Sequence, residues 1–532
     1  MILFMTALAL FFAIQYLGMI QFGGMDGGSV VHAAWQYYQG YVPYQDNITV
    51  RSPAHVVLPG LAFCVFGCKW SSLVLMTAIF AVIMLVLHFW MLRLLDWDYV
   101  WCFALAILTQ SVTSLPISWW WYNQTASVSA AVFVAAAAAL IYRPRSICVF
   151  AVLIFSTIVL SWMKANMAGP LLAGVYLVLL ASSRTRLASL FCGVIATAVS
   201  IALLYACRVD PILMIQSVLS TGNRLYDPQM YITSLFQPAL LEAKMTYLSL
   251  IPIIVAWVLY VRRRPKSLAP APGAKQVLAV AIVSFVVAFW AMATNNEQKM
   301  SDFPLIFTGM LLIAFNLAVL PEKRPADPRD PYPASQKSPP HRRVPLFWWD
   351  VPLPQAWILA GITYLCFFGI ACAWNRTRIY SIGLGLFWEP SVLEKPISGP
   401  SVFEGMYVGR RMKVSLEEMG DILNDPSKVG VTDPQEDLTS SVFFGSRIDF
   451  GYAEYNKMPP KGMPLIWPGT GEMSQSLVDQ AVVRFKQWRP RLCFFPTNDT
   501  TYLPREIQDF LKDNYWGQLS PSRQIMVLTL KD

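Results

Sequence analysis

Eleven apolar runs dominate this 532-residue chain and leave few folds open to it. They lie at about 2–22, 72–95, 99–115, 125–141, 147–162, 167–182, 188–205, 245–261, 277–293, 304–320 and 356–374. A helix crossing a bilayer needs about 20 such residues, and only helices or closed barrels satisfy their backbone groups in hydrocarbon. Charged residues make up only 14% of the chain and apolar ones 55%, with a mean hydropathy of +0.46. Soluble domains carry about 25% charged residues. Disordered chains, fibres and ordinary soluble enzymes are therefore excluded. The chain reads as a polytopic α-helical membrane protein with about 11 transmembrane helices over residues 1–374.

The net charge of +9 is unevenly placed. Residues 1–374 hold 23 Lys and Arg against 13 Asp and Glu, whereas residues 375–532 hold 18 against 19. The excess is scattered over short loops, so it signals topology rather than a nucleic-acid partner. Alternate loops carry Arg93, then Arg143 and Arg145, then Arg184 and Arg186, then Arg262, Arg263, Arg264 and Lys266, then a cluster from Lys323 to Arg343. These loops are expected in the cytoplasm, with the N-terminus. The opposite loops are poorer in cations, holding Arg51, Lys69, Lys164, Arg208, Arg224, Lys244 and Lys299. The first run lacks a cationic leader and exceeds a signal-peptide core, so it is expected to anchor the chain.

Residues 321–345 are rich in Pro and Arg and read as a solvated cytoplasmic linker. Residues 375–532 have soluble composition. Strand-like runs at 442–444, 492–495 and 525–530 alternate with amphipathic stretches at 477–488 and 506–515. That pattern predicts a C-terminal soluble α/β domain on the outer side. The nine cysteines, mostly in apolar runs, give no disulfide framework, and four dispersed histidines give no zinc site. Sequons at Asn47, Asn123, Asn375 and Asn498 all fall on the outer side.

The first outer loop, residues 23–71, is the most informative segment. Asp26 sits between glycines at the membrane surface. Residues 29–39 predict an amphipathic helix with Val30, Ala33, Ala34 and Tyr37 on one face. A turn follows from Gly40 to Tyr44, then Asp46 and Arg51. Residues 53–66 are apolar but broken by Pro59 and Gly60, which suits a helix lying in the interface. A carboxylate where lipid meets water is costly without a partner or a task. Asp26 either caps the next helix or does chemistry, and Asp46 either closes an Asx turn or holds a ligand.

These residues resemble the first outer loop of the GT-C superfamily of integral-membrane glycosyltransferases, which includes the lipid A aminoarabinose transferases and the protein O-mannosyltransferases. Such loops carry an Asp after the first span, a small-residue helix, a G-x-x-P-Y-x-D turn and a basic residue before Pro. Here the elements are Asp26, the 29–39 helix, Gly40-Tyr41-Val42-Pro43-Tyr44-Gln45-Asp46, and Arg51-Ser52-Pro53. The chain departs from the O-mannosyltransferases, whose Asp-Glu pair is Asp26-Gly27 here.

The resemblance implies a GT-C-like fold and an inverting transfer of a sugar from a polyprenyl-phosphate donor to a glycan, lipid or protein acceptor. The setting it implies is the outer face of a cell inner membrane, with the N-terminus cytoplasmic and the C-terminal domain periplasmic. It implies Asp26 as general base, Tyr44 and Asp46 on sugar or acceptor hydroxyls, and Arg51 on the carrier phosphate. Arg51 as a headgroup anchor is the plainer alternative. Lys164, in a hairpin between spans, either grips phosphate or snorkels to lipid. The run Trp119-Trp120-Trp121 reads as an interfacial belt. Tyr122 and Asn123 suit sugar recognition. Glu297 and Lys299, with Asp302, are either a polar rim of the cavity or a solvated cluster.

No cofactor is required and no metal site is assigned. A divalent cation is compatible with Asp26, Asp46, Glu297 and Asp302, though their spacing does not demand one. Two rivals remain from the residues alone. A transporter or flippase would place its polar groups near the bilayer midplane. A polymerase or ligase of lipid-linked glycans would use a large later loop, such as 206–244 with Arg208 and Arg224.

Overall fold

The computed structural model describes residues 2–17, 24–95, 122–220, 273–294, 400–406, 410–431, 438–445, 448–465, 474–497 and 503–531, with isolated positions at 102–103, 106–107, 109–110, 120, 305, 308–309, 312 and 397. The spans expected at 245–261 and 356–374 lie outside the described residues, as does most of those at 99–115 and 304–320. The linker 321–345 and Glu297, Lys299 and Asp302 also lie outside them.

The described membrane half is almost wholly helical. It comprises α1 (Ile2–Leu17), α2 (Gly24–Tyr38), a short strand β1 (Asn47–Ile48), α3 (Pro53–Phe66), α4 (Trp70–Leu94), α5 (Tyr122–Tyr142), α6 (Ile147–Trp162), α7 (Ala165–Ala181), α8 (Arg186–Ala206), α9 (Pro211–Leu219) and α10 (Ala274–Thr294). Among the described residues, α4, residues 124–142 of α5, and α8 are long and apolar enough to cross a membrane. Helices α3, α6, α7 and residues 274–288 are shorter and equally apolar. At 1.5 Å per residue α4 extends about 37 Å, more than the roughly 30 Å of hydrocarbon it has to cross.

Helix α5 is the hub, packed against α4, α6, α7 and α10. Its alanine-rich stretch, from Ala130 through Ala139, is buried on every side, with Phe133 the one large side chain in it. Small side chains let helix backbones approach closely, which matters where lipid removes the hydrophobic drive between helices. Helix α8 instead turns Leu187, Leu190, Phe191 and Val194 outward, an apolar face suited to lipid.

Arginines mark one end of this bundle. Arg143 Nε donates to the Leu94 carbonyl at 2.8 Å, Arg184 Nη2 to Tyr142 at 3.5 Å and Arg186 Nε to Leu180 at 3.0 Å. The last carbonyls of a helix lack intrahelical partners, and these guanidinium groups supply them. The C-termini of α4, α5 and α7 therefore gather at one end. The starts of α4, α5 and α7 and the ends of α6 and α8 form the other end, which carries α2, α3 and the tail.

The described tail contains α11 (Arg410–Asn424), a 3-10 turn (Pro426–Val429), β2 (Val442–Phe444), α12 (Gly451–Glu454), β3 (Met463–Pro464), α13 (Gln475–Trp488), β4 (Leu492–Pro496), α14 (Arg505–Asn514), β5 (Tyr515–Leu519) and β6 (Ile525–Leu530). Four strands form a sheet in the order β2-β4-β6-β5, with β2 parallel to β4 and β6 antiparallel to both neighbours. Side chains alternate across it, as strand geometry dictates. Phe443, Cys493 and Phe495 meet Phe485, Ile507 and Leu511 of α13 and α14. Phe444 and Phe494 face the other way, into a core continuous with the helical bundle.

The tail is joined to the segment between α1 and α4. Strand β3 stands apart from that sheet and pairs in parallel with β1, Asn47 opposite Met463 and Ile48 opposite Pro464. The Trp70 amide, at the start of α4, donates to the Val402 carbonyl at 2.7 Å, and Lys69 pairs with Glu404 at 2.6 Å. Helices α2 and α3 cross in contact: a Cβ on Gly60 would fall within the Tyr37 side chain.

One expectation at this end is corrected. Trp120 does not lie in a lipid-facing belt. It is buried, its indole N–H donates to the Ala54 carbonyl at 2.9 Å, and its ring meets Phe80 edge-on at 5.1 Å. A carbonyl within reach lets the indole leave the interface at no loss of hydrogen bonding.

Candidate functional site

The candidate site is the turn between α2 and α3, with the tail segment that covers it. It is built from α2 outward. His32 and Gln36 lie four residues apart on α2 and so share a face. Gln36 Nε2 contacts His32 Nε2 at 2.9 Å, and His32 Nδ1 contacts the Leu465 carbonyl of the tail at 3.0 Å. Asn47 Nδ2 donates to Gln36 Oε1 at 2.8 Å, and the Tyr44 amide donates to Asn47 Oδ1 at 3.2 Å.

Only one set of donors and acceptors satisfies this chain. A carbonyl only accepts, so His32 Nδ1 carries the proton and Nε2 accepts from Gln36. Burial pulls the His32 imidazole from 6.5 down to about 3, against a smaller upward pull from the Leu465 carbonyl, and so keeps the ring neutral. Tyr452 of α12 stacks on the ring, with centroids 4.5 Å apart.

This chain supports a tight turn. Tyr44 adopts a φ of +68°, in the left-handed region, and its hydroxyl donates to the Arg51 carbonyl at 2.7 Å. Burial pushes that hydroxyl well above its ordinary pKa. The Asp46 amide donates to the Val42 carbonyl, and Asp46 Oδ2 accepts from the Val42 amide, both at 2.9 Å. Lys461 of the tail places its ammonium 3.1 Å from the same oxygen and 5.7 Å from the centre of the Tyr41 ring. Gly462, at φ +84°, donates its amide to the Asp46 carbonyl at 2.6 Å.

Further contacts press the tail onto α2 and the turn. Trp35 Nε1 donates to the Lys457 carbonyl at 3.0 Å, and the Tyr41 hydroxyl to the Pro459 carbonyl at 2.7 Å. Burial, aided by the Asp46 charge, raises the Tyr41 pKa. On the other flank, the Tyr37 hydroxyl donates to the Cys207 carbonyl at 3.4 Å, and the Arg208 guanidinium lies 5.3 Å from the Tyr37 ring centre. His55 of α3 is buried, and burial with the nearby Arg51 charge lowers it to about 3.

Of the residues singled out in the sequence, Tyr44, Asp46 and Arg51 come together in this turn. Asp26 lies in the first turn of α2, and Tyr122 and Asn123 open α5; their side chains fall outside what is described. Lys164 joins α6 to α7 at the same end of the bundle, with its Nζ withdrawn from solvent. Among the described residues, no three His, Cys, Asp or Glu side chains gather as a metal-binding group. The Asn47 side-chain amide is buried and hydrogen-bonded, so in the folded protein this sequon is closed to a glycan.

His32, Gln36, Tyr452 and Lys461 enter only with the structure, as does the hydrogen-bonding part that Asn47 plays between Gln36 and Tyr44. The one signal for them in the sequence is the polar pair at i and i+4, on what looks like the wet face of an amphipathic helix. Its burial depends on a tail segment more than four hundred residues away.

No protein-family profile and no curated protein matches the chain. Among solved structures, it is similar to ArnT from Cupriavidus metallidurans bound to undecaprenyl phosphate. That similarity has a TM-score of 0.48 and 11% identity, and it covers 99% of this chain and 97% of the other.

Proposed function

We propose that the chain is an inverting glycosyltransferase that moves a hexosyl or pentosyl group from a polyprenyl-phosphate donor to a hydroxyl acceptor on the outer face of an inner membrane. The observation that carries this reading is the built turn. In it the Tyr44 hydroxyl bonds to the Arg51 backbone carbonyl and the Asp46 carboxylate closes on the Val42 amide, at the end of the bundle opposite the arginine-capped helix ends. That placement agrees with a cytoplasmic side marked by Arg143, Arg184 and Arg186 and an outer side marked by the tail.

In the proposed reaction Asp26 takes the proton from the acceptor hydroxyl. The freed oxygen attacks the anomeric carbon from the face opposite the phosphate. The bond from that carbon to the phosphate oxygen breaks, and polyprenyl phosphate leaves with the electron pair. Arg51 and Lys164 offset the charge that develops on the leaving phosphate through charge-assisted hydrogen bonds. Asp46, Tyr122, Asn123, Glu297 and Lys299 contribute to holding the sugar or acceptor.

The test is to incubate purified protein with a panel of polyprenyl-phosphate sugars and measure release of free polyprenyl phosphate. Asp26→Asn is expected to abolish release while leaving donor binding intact; full activity in this variant removes Asp26 as base. Arg51→Ala is expected to raise KM for the donor about tenfold, the equivalent of one lost charge-assisted bond. An unchanged KM moves the phosphate site to another cation. Absence of turnover in the unaltered protein across the panel favours the transport reading.

A further inference from the structure

The turn that carries Tyr44 and Asp46 leans on the tail through a hydrogen-bond chain with one permitted direction. The Tyr44 amide can only donate, so Asn47 turns its carbonyl oxygen toward it and its NH2 toward Gln36. Gln36 accepts with its oxygen and donates with its nitrogen to His32 Nε2, and the His32 Nδ1–H donates to the Leu465 carbonyl. Rotating any one member would leave two buried polar groups unpaired. The far end is equally fixed, because the Leu465 amide donates to the Ile48 carbonyl at 2.9 Å and thereby closes the β1–β3 pairing.

We propose that His32 is a positioning residue: through Gln36 and Asn47 it couples the tail at Leu465 to the turn that presents Tyr44 and Asp46, so that the tail sets the geometry of the site. The coupling rests on the hydrogen bonds above, and its catalytic consequence rests on the glycosyltransferase reading. The competing role is plain packing, in which the His32 ring matters only because it stacks on Tyr452. The two roles predict opposite rankings of two variants. His32→Phe keeps an aromatic ring and loses both hydrogen bonds. His32→Asn loses the ring and keeps a donor and an acceptor.

The experiment is hydrogen–deuterium exchange on the full chain in lipid nanodiscs, reading the amides of Tyr44, Asp46, Gly462 and Leu465, all closed by hydrogen bonds in the fold. His32→Phe is expected to speed exchange at these amides about tenfold, while α5, α6 and α7 exchange as in the unaltered protein. His32→Asn is expected to stay nearer the unaltered protein. Unchanged exchange in His32→Phe, or a larger effect in His32→Asn, overturns the proposal. Where His32→Phe loosens the whole bundle, Gln36→Met breaks the middle of the chain without touching Tyr452, and the same four amides decide.

Kinetics then separate the two readings. With a donor the unaltered protein uses, His32→Phe is expected to lower kcat about tenfold or more while KM for the donor stays within about threefold, as a misplaced group does. An unchanged kcat overturns the catalytic half of the proposal. If the unaltered protein turns over no donor, the glycosyltransferase reading fails, and the exchange result still decides the coupling.

Discussion

Tyr44 holds its backbone in the left-handed region, which costs a residue other than glycine about 1–2 kcal/mol. The ring is buried and the hydroxyl bonds to the Arg51 carbonyl. Packing should outweigh the strain, because losing a large buried side chain costs about 3–5 kcal/mol. Tyr44→Gly is therefore expected to unfold at lower temperature than Tyr44→Phe, despite glycine's ease at this φ. The reverse order would make the strain dominant. The Lys461–Asp46 pair is one-sided, with side-chain exposures of 67% and 9%. Removing the lysine would leave the buried Asp46 carboxylate with its Val42 amide bond and no cation, so Lys461→Ala should lower the unfolding temperature, and an unchanged value would mean that water reaches Asp46. At this scale the turn residues were visible in the sequence because the motif is local. His32 and Gln36 were not, because a polar pair on a helix looks solvated until the tail covers it.

Helices and strands set by their own length and hydropathy were the legible elements. The apolar run at 147–162 is α6, the run at 125–141 lies within α5, and the run at 53–66 is α3. Strand-like runs at 442–444 and 525–530 are β2 and β6, and 492–495 lies within β4. Strand β5 was missed: only Tyr515 is buried in it, it contains Gly517, and it follows directly from an amphipathic helix. Strands β1 and β3 have two residues each, too few to carry a period, and exist because each meets the other. The α2–α3 crossing gives a test at this scale. Gly60→Ala places a methyl group inside the Tyr37 side chain. Overpacking of this kind costs about 1–3 kcal/mol, so the variant should unfold earlier and its α2 amides should exchange faster. Unchanged exchange along α2 would mean the two helices do not cross so closely.

The whole molecule should be acid-labile for a reason found where the tail meets α2 and α3. His32 and His55 are held neutral at about 3 in the fold, against about 6.5 in an unfolded chain. Below pH 6.5 the unfolded chain binds protons that the folded one refuses. Stability therefore falls as pH drops from 6.5 toward 3, by up to about 1.4 kcal/mol per pH unit for each histidine, and levels off below 3. Glu454 pulls the other way, because burial raises its pKa and favours the folded state as it protonates. Unfolding measured between pH 7 and 4 should show the net loss, with a shallower slope in His32→Asn; an identical slope would mean that His32 titrates in the fold. The long reach of the same histidine also bears on how the protein is made. His32 and Leu465 are 433 positions apart. A ribosome adding about 5–20 residues per second needs about 20–90 s to deliver the second after the first. For that interval the nascent chain is an inserted bundle with an unfinished first loop. A message cut short before codon 465 would yield a product whose α2 lacks the Leu465 and Lys457 contacts and exposes polar and aromatic groups to whatever proteases patrol nascent membrane proteins.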